Sequence, residues 1–246
     1  MLEVLYRDER LIAIHKPAGL LVHRSNIDRH ETRFAVQLLR DQIGQRVFPA
    51  HRLDKGTSGV LLFALDTDAA RHLGQQFEQN TVAKTYHAIV RGWPPETGRI
   101  DHPLTRQFDD YGRVQTEAEK EAAALPALTG FRRLATAELA CAVDRYPTAR
   151  YALLELHPHT GRQHQLRRHL KHIAHPVIGD ATHGKGRHNR FFQQQFACHR
   201  LLLACTALDI KHPESQLRLD IHAPLASDFM AVVRALNWTE SLSDCG

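Results

Sequence analysis

The stretch of chain best equipped for chemistry is His51-Arg52-Leu53-Asp54-Lys55-Gly56-Thr57-Ser58-Gly59-Val60-Leu61-Leu62-Phe63, an acid between two cations, then two glycines and an apolar run. A carboxylate beside a cation is held ionised, and an ionised aspartate on a turn can act as a nucleophile. Spacing alone leaves a second reading open, in which Asp54 caps the loop and Arg52 pairs with it at the surface. Tyr86, in Lys84-Thr85-Tyr86-His87-Ala88-Ile89-Val90, offers a ring and a hydroxyl, or else fills a core. Between Arg162 and Arg190 stand seven Lys/Arg (Arg162, Arg167, Arg168, Lys171, Lys185, Arg187, Arg190), six histidines and a single acid, Asp180. Such a local excess is the electrostatic footprint of a phosphate backbone; the alternative is a solvated basic helix face. The histidines His157, His159, His164, His169, His172 and His175 lack the tight ligand spacing and the Cys or carboxylate partners of zinc sites. No metal and no cofactor is expected.

Periodicity predicts the elements that must position these residues. Val4 to Ile14 reads as two strands around Arg7-Asp8-Glu9-Arg10. Thr32 to Ile43 has Phe34, Leu38, Leu39 and Ile43 at helical spacing, with Gly44 as C-cap. Val60 to Leu65 is a strand, and Asp66 or Thr67 caps a helix in which Leu73 and Phe77 stack four apart. Val82 to Val90 alternates, placing Tyr86 on one face with Val82, Ala88 and Val90. The acidic, alanine-rich stretch 109–130 reads as an inserted mobile excursion, partly helical. Tyr151 to His157 is a strand and Arg162 to Ile173 an amphipathic helix, with Leu166, Leu170 and Ile173 inward. Strands over Leu201 to Ile210 and Leu217 to His222 precede a helix opened by Pro224 and running through Leu225, Phe229, Val232, Val233 and Leu236. Strands and helices mix without βαβ alternation, which predicts an α+β fold with a mixed, mainly antiparallel sheet.

The chain has 246 residues, a net charge of +5 and a pI near 9.2. It shows no linker, low-complexity tract or repeat, so a single catalytic domain over residues 1–240 with a tail at 241–246 is expected. No separate N-terminal nucleic-acid-binding domain is expected ahead of Lys16, which leaves any phosphate contacts of the basic cluster to the same single unit. Four cysteines (Cys141, Cys198, Cys205, Cys245) lack a disulfide or zinc pattern. Apolar runs are too short to span a membrane, and Glu3, Arg7 and Asp8 occupy the place of a signal-peptide core. A cytoplasmic protein with no obligate protein partner is expected.

His51 to Ala64 resembles the active-site signature of the RluA-type pseudouridine synthases. Lys16-Pro17-Ala18-Gly19-Leu20 with Val22-His23, Lys84 to Val90, and Thr160 to Leu170 followed by His175 to Asp180 resemble three further motifs of that family in the same order. The resemblance implies a bent central sheet in two halves with flanking helices and a cleft between them. It implies isomerisation of a uridine in RNA, with Asp54 as nucleophile, Tyr86 stacking on the flipped base and Arg167 pairing with Asp54. Arg162 and Arg168 are rivals for that pairing and otherwise RNA contacts, as is Lys171. Arg52 would fill the gap that the flipped base leaves. Met1 to Gly19, Leu21 to Arg29, Phe77 to Trp93 and Gly161 to His172 are closest to the branch that acts on uridine 65 of transfer RNA. Whether Asp54 attacks sugar or base stays open. Ala204, in Leu203-Ala204-Cys205, stands where the family usually has a histidine, which implies altered packing or RNA contact, not lost catalysis. The competing readings are a ribosomal RNA enzyme of the same family, an inactive RNA-binding module, and an N-glycosidase. The last needs a second carboxylate to place water, and none accompanies Asp54.

Overall fold

The structure, a computed structural model, describes residues 1–24, 31–105 and 124–243. Asp8 organises the first hairpin: its carboxylate accepts from the Arg10 and Leu11 amides at 2.8 and 2.7 Å and turns β1 (Glu3–Arg7) into β2 (Leu11–Lys16). β2 pairs antiparallel with β4 (Ser58–Ala64), which is buried along its whole length and so reads as an unbroken apolar run. A short β3 (Phe48–Pro49) also pairs with β4.

β4 meets the rest of the sheet through one parallel contact to β11 (Leu203–Lys211), formed by Ala204 opposite Ser58 and Cys205 opposite Gly59. Beyond that seam the order runs β11, β5 (Ala83–Arg91), β10 (Ala149–Pro158), β9 (Leu128–Leu139) and β6 (Thr97–Asp101), all antiparallel. β12 (Arg218–His222) pairs with β11. β7 (Leu104–Thr105) and β8 (Ala124–Leu125) form a separate two-stranded ladder. The sheet is mixed and mainly antiparallel, as expected.

Helices cover both faces. α1 (Ala35–Ile43), ended by Gly44 at φ 67, and α2 (Thr67–Glu78) bury Leu39 and Leu73 in a core with Leu11, Phe63 and Leu154. The cap of α2 is Asp66, whose side chain accepts from the Asp68 and Ala69 amides. α3 (Gln165–His172) adds Leu166 and Leu170 to the same core. α4 (Gly186–Phe196) and α5 (Ser227–Ala235) bury Phe192, Phe229 and Val233 in a second core with Tyr151 and Trp238. β5 lies between them: Tyr86, Ala88 and Val90 face the first core and Ile89 the second, so the predicted alternation holds although residues 86–90 are all buried.

Several boundaries move. α1 starts at Ala35, not Thr32, because Phe34 is extended and bridges Leu21. α3 starts at Gln165, not Arg162, and α5 starts three residues after Pro224. Of the expected excursion at 109–130, residues 109–123 lie outside the described residues, but 124–130 are not an excursion. They build β8 and the start of β9, where Thr129 is fully buried. The expected tail also begins late: α6 (Glu240–Ser243) forms, with Leu242 on the second core. Neither β9 nor α4 was expected. In α4 the apolar residues crowd one end as Phe191, Phe192 and Phe196, without a full helical stripe. Among the described residues no helix is long and apolar enough to cross a membrane.

Candidate active site

The loop that carries Asp54 enters β4 beside the seam, and the Lys16–Leu20 stretch holds it through Lys55. Lys16 is fully buried and its Nζ donates to the carbonyls of Pro17, Leu20 and Lys55 at 3.0, 2.7 and 3.2 Å. The Gly19 amide donates to Lys55 O at 2.8 Å, and the Thr57 amide closes a turn onto Asp54 O at 3.0 Å. Burial, with the nearby Arg200 charge, pushes the Lys16 ammonium down to about 7 against the opposing pull of Asp54. Ser58 accepts from Arg200 Nη2 at 2.6 Å, so it serves the scaffold. Gly59 permits an approach, not a turn: at φ 111 its missing Cβ would sit 1.9 Å from Cys205 O.

A second loop arrives from β10. Gln165 pins it: its Oε1 accepts from Thr160 Oγ1 at 2.7 Å and from the Arg162 amide at 3.0 Å, and its Nε2 donates to Leu128 O and Thr129 Oγ1 at 3.0 Å each. α3 therefore begins at the cleft, and its third residue, Arg167, points in. Arg167 Nη1 donates to Asp54 Oδ2 at 2.9 Å. Its other edge grips Asp180, Nε to Oδ2 at 2.7 Å and Nη2 to Oδ1 at 2.8 Å. Asp180 Oδ1 also accepts from the Thr182 and His183 amides at 2.9 Å each. Burial opposes both charges, yet these bonds hold the Asp180 carboxyl below its usual range and raise the already strong base Arg167 further.

Tyr86 closes the cleft from β5, in register with Cys205, which itself faces Gly59. Burial, together with Cys205 and the Asp54 charge, holds its phenol well above 10, so the hydroxyl keeps its proton at neutral pH. The cleft encloses about 380 Å³, within the roughly 300–1,000 Å³ of small-ligand sites. Arg52, Asp54, Tyr86, Arg162 and Arg167 line it.

The sequence-predicted residues therefore separate into three groups. Asp54, Tyr86 and Arg167 converge, and Arg52 stands exposed at the rim. Arg162 also reaches the cleft while its Nε donates to Pro126 O at 3.1 Å. Arg168 turns away to Thr105, with Nη1 on its carbonyl at 2.8 Å, and Lys171 is exposed one turn later. Of the three arginines only Arg167 contacts Asp54 among the described residues. Asp180 and His164 were missed, although Asp180 was the single acid among seven cations, a signal for a buried partner. Ala204 is interior, in the second core, away from the surface where RNA would contact it. Three of the histidines take structural partners: His169 bonds Thr129 and His102 O, His172 stacks on His102 at 3.7 Å, and His175 bonds Arg91 O.

Comparison with known proteins adds sequence likeness to this geometry. A profile described as RNA pseudouridylate synthase matches residues 10–172. tRNA pseudouridine synthase C of Vibrio cholerae is 48% identical over 98% of this chain and 98% of its own length. The Salmonella typhi protein of that name is 50% identical over 99% of this chain and 93% of its own. Among solved structures, Human RNA Pseudouridylate Synthase Domain Containing 4 superposes with a TM-score of 0.72 at 26% identity, covering 96% of this chain and 93% of that one. Human RNA Pseudouridylate Synthase Domain Containing 1 shares the fold with a TM-score of 0.70, 24% identity and coverage of 97% and 96%.

Proposed function

The chain belongs to the RNA pseudouridylate synthase family, and from that premise we propose that it isomerises uridine 65 of a transfer RNA in the cytoplasm, with Asp54 as nucleophile. The observation that carries the reading is the contact of Arg167 Nη1 with Asp54 Oδ2 at 2.9 Å inside a cleft walled by Tyr86. The reaction breaks the bond from N1 to the ribose, turns the base and joins C5 to the same ribose carbon. C5 loses a proton and N1 gains one, so no external reagent is consumed.

A uridine in a folded RNA must first leave its stack, at a cost of about a few kcal/mol. In the proposed mechanism Arg52, exposed at the rim, enters the vacated gap, where a planar guanidinium stacks on the neighbouring bases. The base then enters the cleft and stacks on the Tyr86 ring. Arg167 holds Asp54 directed into the cleft until the carboxylate forms its covalent bond. Tyr86 enters the reaction as a phenol, so its hydroxyl acts as a hydrogen-bond donor or relay and not as a resting phenolate. Arg162 and Lys171 contribute phosphate contacts around this centre. The described residues act as one continuous catalytic unit.

Transfer RNA as target is supported by the near full-length likeness to proteins named tRNA pseudouridine synthase C. The decisive experiment incubates the protein with unmodified transfer and ribosomal RNA and maps pseudouridine by carbodiimide block. Pseudouridine at position 65 of transfer RNA is expected, and Asp54→Asn is expected to form none while binding the RNA within a few-fold of wild type. Modification confined to ribosomal RNA would move the target while leaving the chemistry; product from rigorously purified Asp54→Asn would remove Asp54 from the mechanism.

A further inference from the structure

Arg167 holds one oxygen of Asp54; the other, Oδ1, faces His164, whose Nε2 lies 3.9 Å away. His164 occupies left-handed backbone, φ 52 and ψ 26, immediately ahead of α3. That conformation is unfavourable for a residue with a Cβ, and such strain persists where the surroundings over-determine it, often at functional sites. The ring is also fixed from behind. Its Nδ1 lies 3.1 Å from His183 Nε2, with the two rings edge to face at 5.3 Å. The His183 amide in turn donates to Asp180 Oδ1 at 2.9 Å. One buried carboxylate thus anchors both supports of the nucleophile, Arg167 directly and His164 through His183.

We propose that His164 is a positioning residue for the reaction, its Nε2–H steering Oδ1 of Asp54 into the cleft while Arg167 holds Oδ2. This rests on the reading of Asp54 as nucleophile. Burial lowers the pKa of His164, despite the opposing Asp54 charge, and lowers that of His183 to about 4, so both rings are uncharged near neutrality. One proton then bridges them. If His183 donates from Nε2 to Nδ1 of His164, the His164 proton sits on Nε2 and faces a carboxylate. The reverse arrangement sets a lone pair against the same carboxylate. Electrostatics selects the first tautomer, in which His164 is a donor aimed at Oδ1. A separation of 3.9 Å is longer than a hydrogen bond, and contacts of this kind tighten when substrate closes the site. With one oxygen gripped and the other steered, the carboxylate cannot rotate out of line.

The test compares single-turnover rate and RNA affinity for His164→Asn, His164→Gln and Asp54→Asn in the full chain with unmodified transfer RNA. Asparagine tolerates left-handed backbone and reaches His183, but is too short to reach Asp54. The glutamine amide extends to the place of Nε2. His164→Asn is expected to slow the single-turnover rate by about 10- to 100-fold, the scale of a small misplacement of a reacting group, with RNA affinity essentially unchanged. His164→Gln is expected to recover most of the rate. A wild-type rate for His164→Asn beside an inactive Asp54→Asn overturns the proposal and leaves the nucleophile in place. Equal losses in the Asn and Gln variants, or a rate loss matched by lost affinity, also overturn it. Turnover by Asp54→Asn instead overturns the nucleophile reading itself. Should His164→Asn fail to fold, His183→Asn, which frees the ring without touching its backbone, takes its place: a slower rate at unchanged affinity supports the proposal and a wild-type rate overturns it.

Discussion

Arg167 is shared between two carboxylates with unequal claims on it. Asp180 takes two of its N–H groups and is itself completely buried, whereas Asp54 takes one and is partly open to the cleft. The arginine is therefore located by Asp180, and Asp54 can leave it during a reaction without setting it loose. Asp180→Asn is expected to cost about 3 kcal/mol or more, since it leaves a buried guanidinium short of charge, and to slow turnover while RNA affinity holds. The sign with pH follows from the depressed Asp180 carboxyl. Its contribution is complete above the unfolded-state value of about 3.9 and is lost as pH falls through the lower folded value. Denaturant titrations from roughly pH 6 downward should show wild type progressively losing this increment once the pH is below about 3.9, and Asp180→Asn lacking it. Parallel curves for the two proteins would deny Asp180 that role. The sequence made Asp54, Tyr86 and Arg167 legible because motif order carries them. It hid Asp180 because an acid among cations also reads as an ordinary surface pair, and burial is a property of the fold.

At the scale of elements, the seam between β4 and β11 does most to place the site. Only two residue pairs join these strands, and one of them, Cys205 opposite Gly59, continues across the sheet to Tyr86. The nucleophile loop and the tyrosine strand are thus set at a fixed spacing by a contact that tolerates no side chain at position 59. Gly59→Ala would place a Cβ on Cys205 O and is expected to destabilise by about 2–3 kcal/mol, the scale of overpacking in a dense interior, lowering Tm by roughly 4–12 °C for a chain of this size. Gly74, exposed in α2 with nothing within 4 Å of its Cβ position, supplies the opposite case. Gly74→Ala should gain roughly 0.5–1 kcal/mol. A Gly59→Ala protein with wild-type Tm would mean that the seam can open without loss. Strands with one apolar run, such as β4, and capped helices, such as α2, were readable from periodicity. The parallel seam was not, because pairing between residues 59 and 205 leaves no local mark, and α4 lacked a stripe to read.

Across the whole molecule, the basic excess divides into charges that build and charges that face outward. Arg168, on α3, donates to Thr105 O in β7, so part of the cluster read as RNA-binding is engaged in holding the β7–β8 ladder to α3. Lys171, on the same helix, is exposed. RNA affinity should fall steeply with salt, because each neutralised phosphate releases counterions and adds close to one unit of log–log slope, about 0.7 for single strands and about 0.9 for duplex. Lys171→Ala is therefore expected to lower that slope by about one and to leave Tm unchanged. Arg168→Ala should do the reverse, lowering Tm through the lost hydrogen bonds to Thr105 while moving the slope by less. Fluorescence anisotropy with transfer RNA over a salt series, paired with thermal melts, separates the two. Equal slope changes in both variants would return Arg168 to the RNA-facing set, and an affinity indifferent to salt would remove the basic face from RNA recognition altogether.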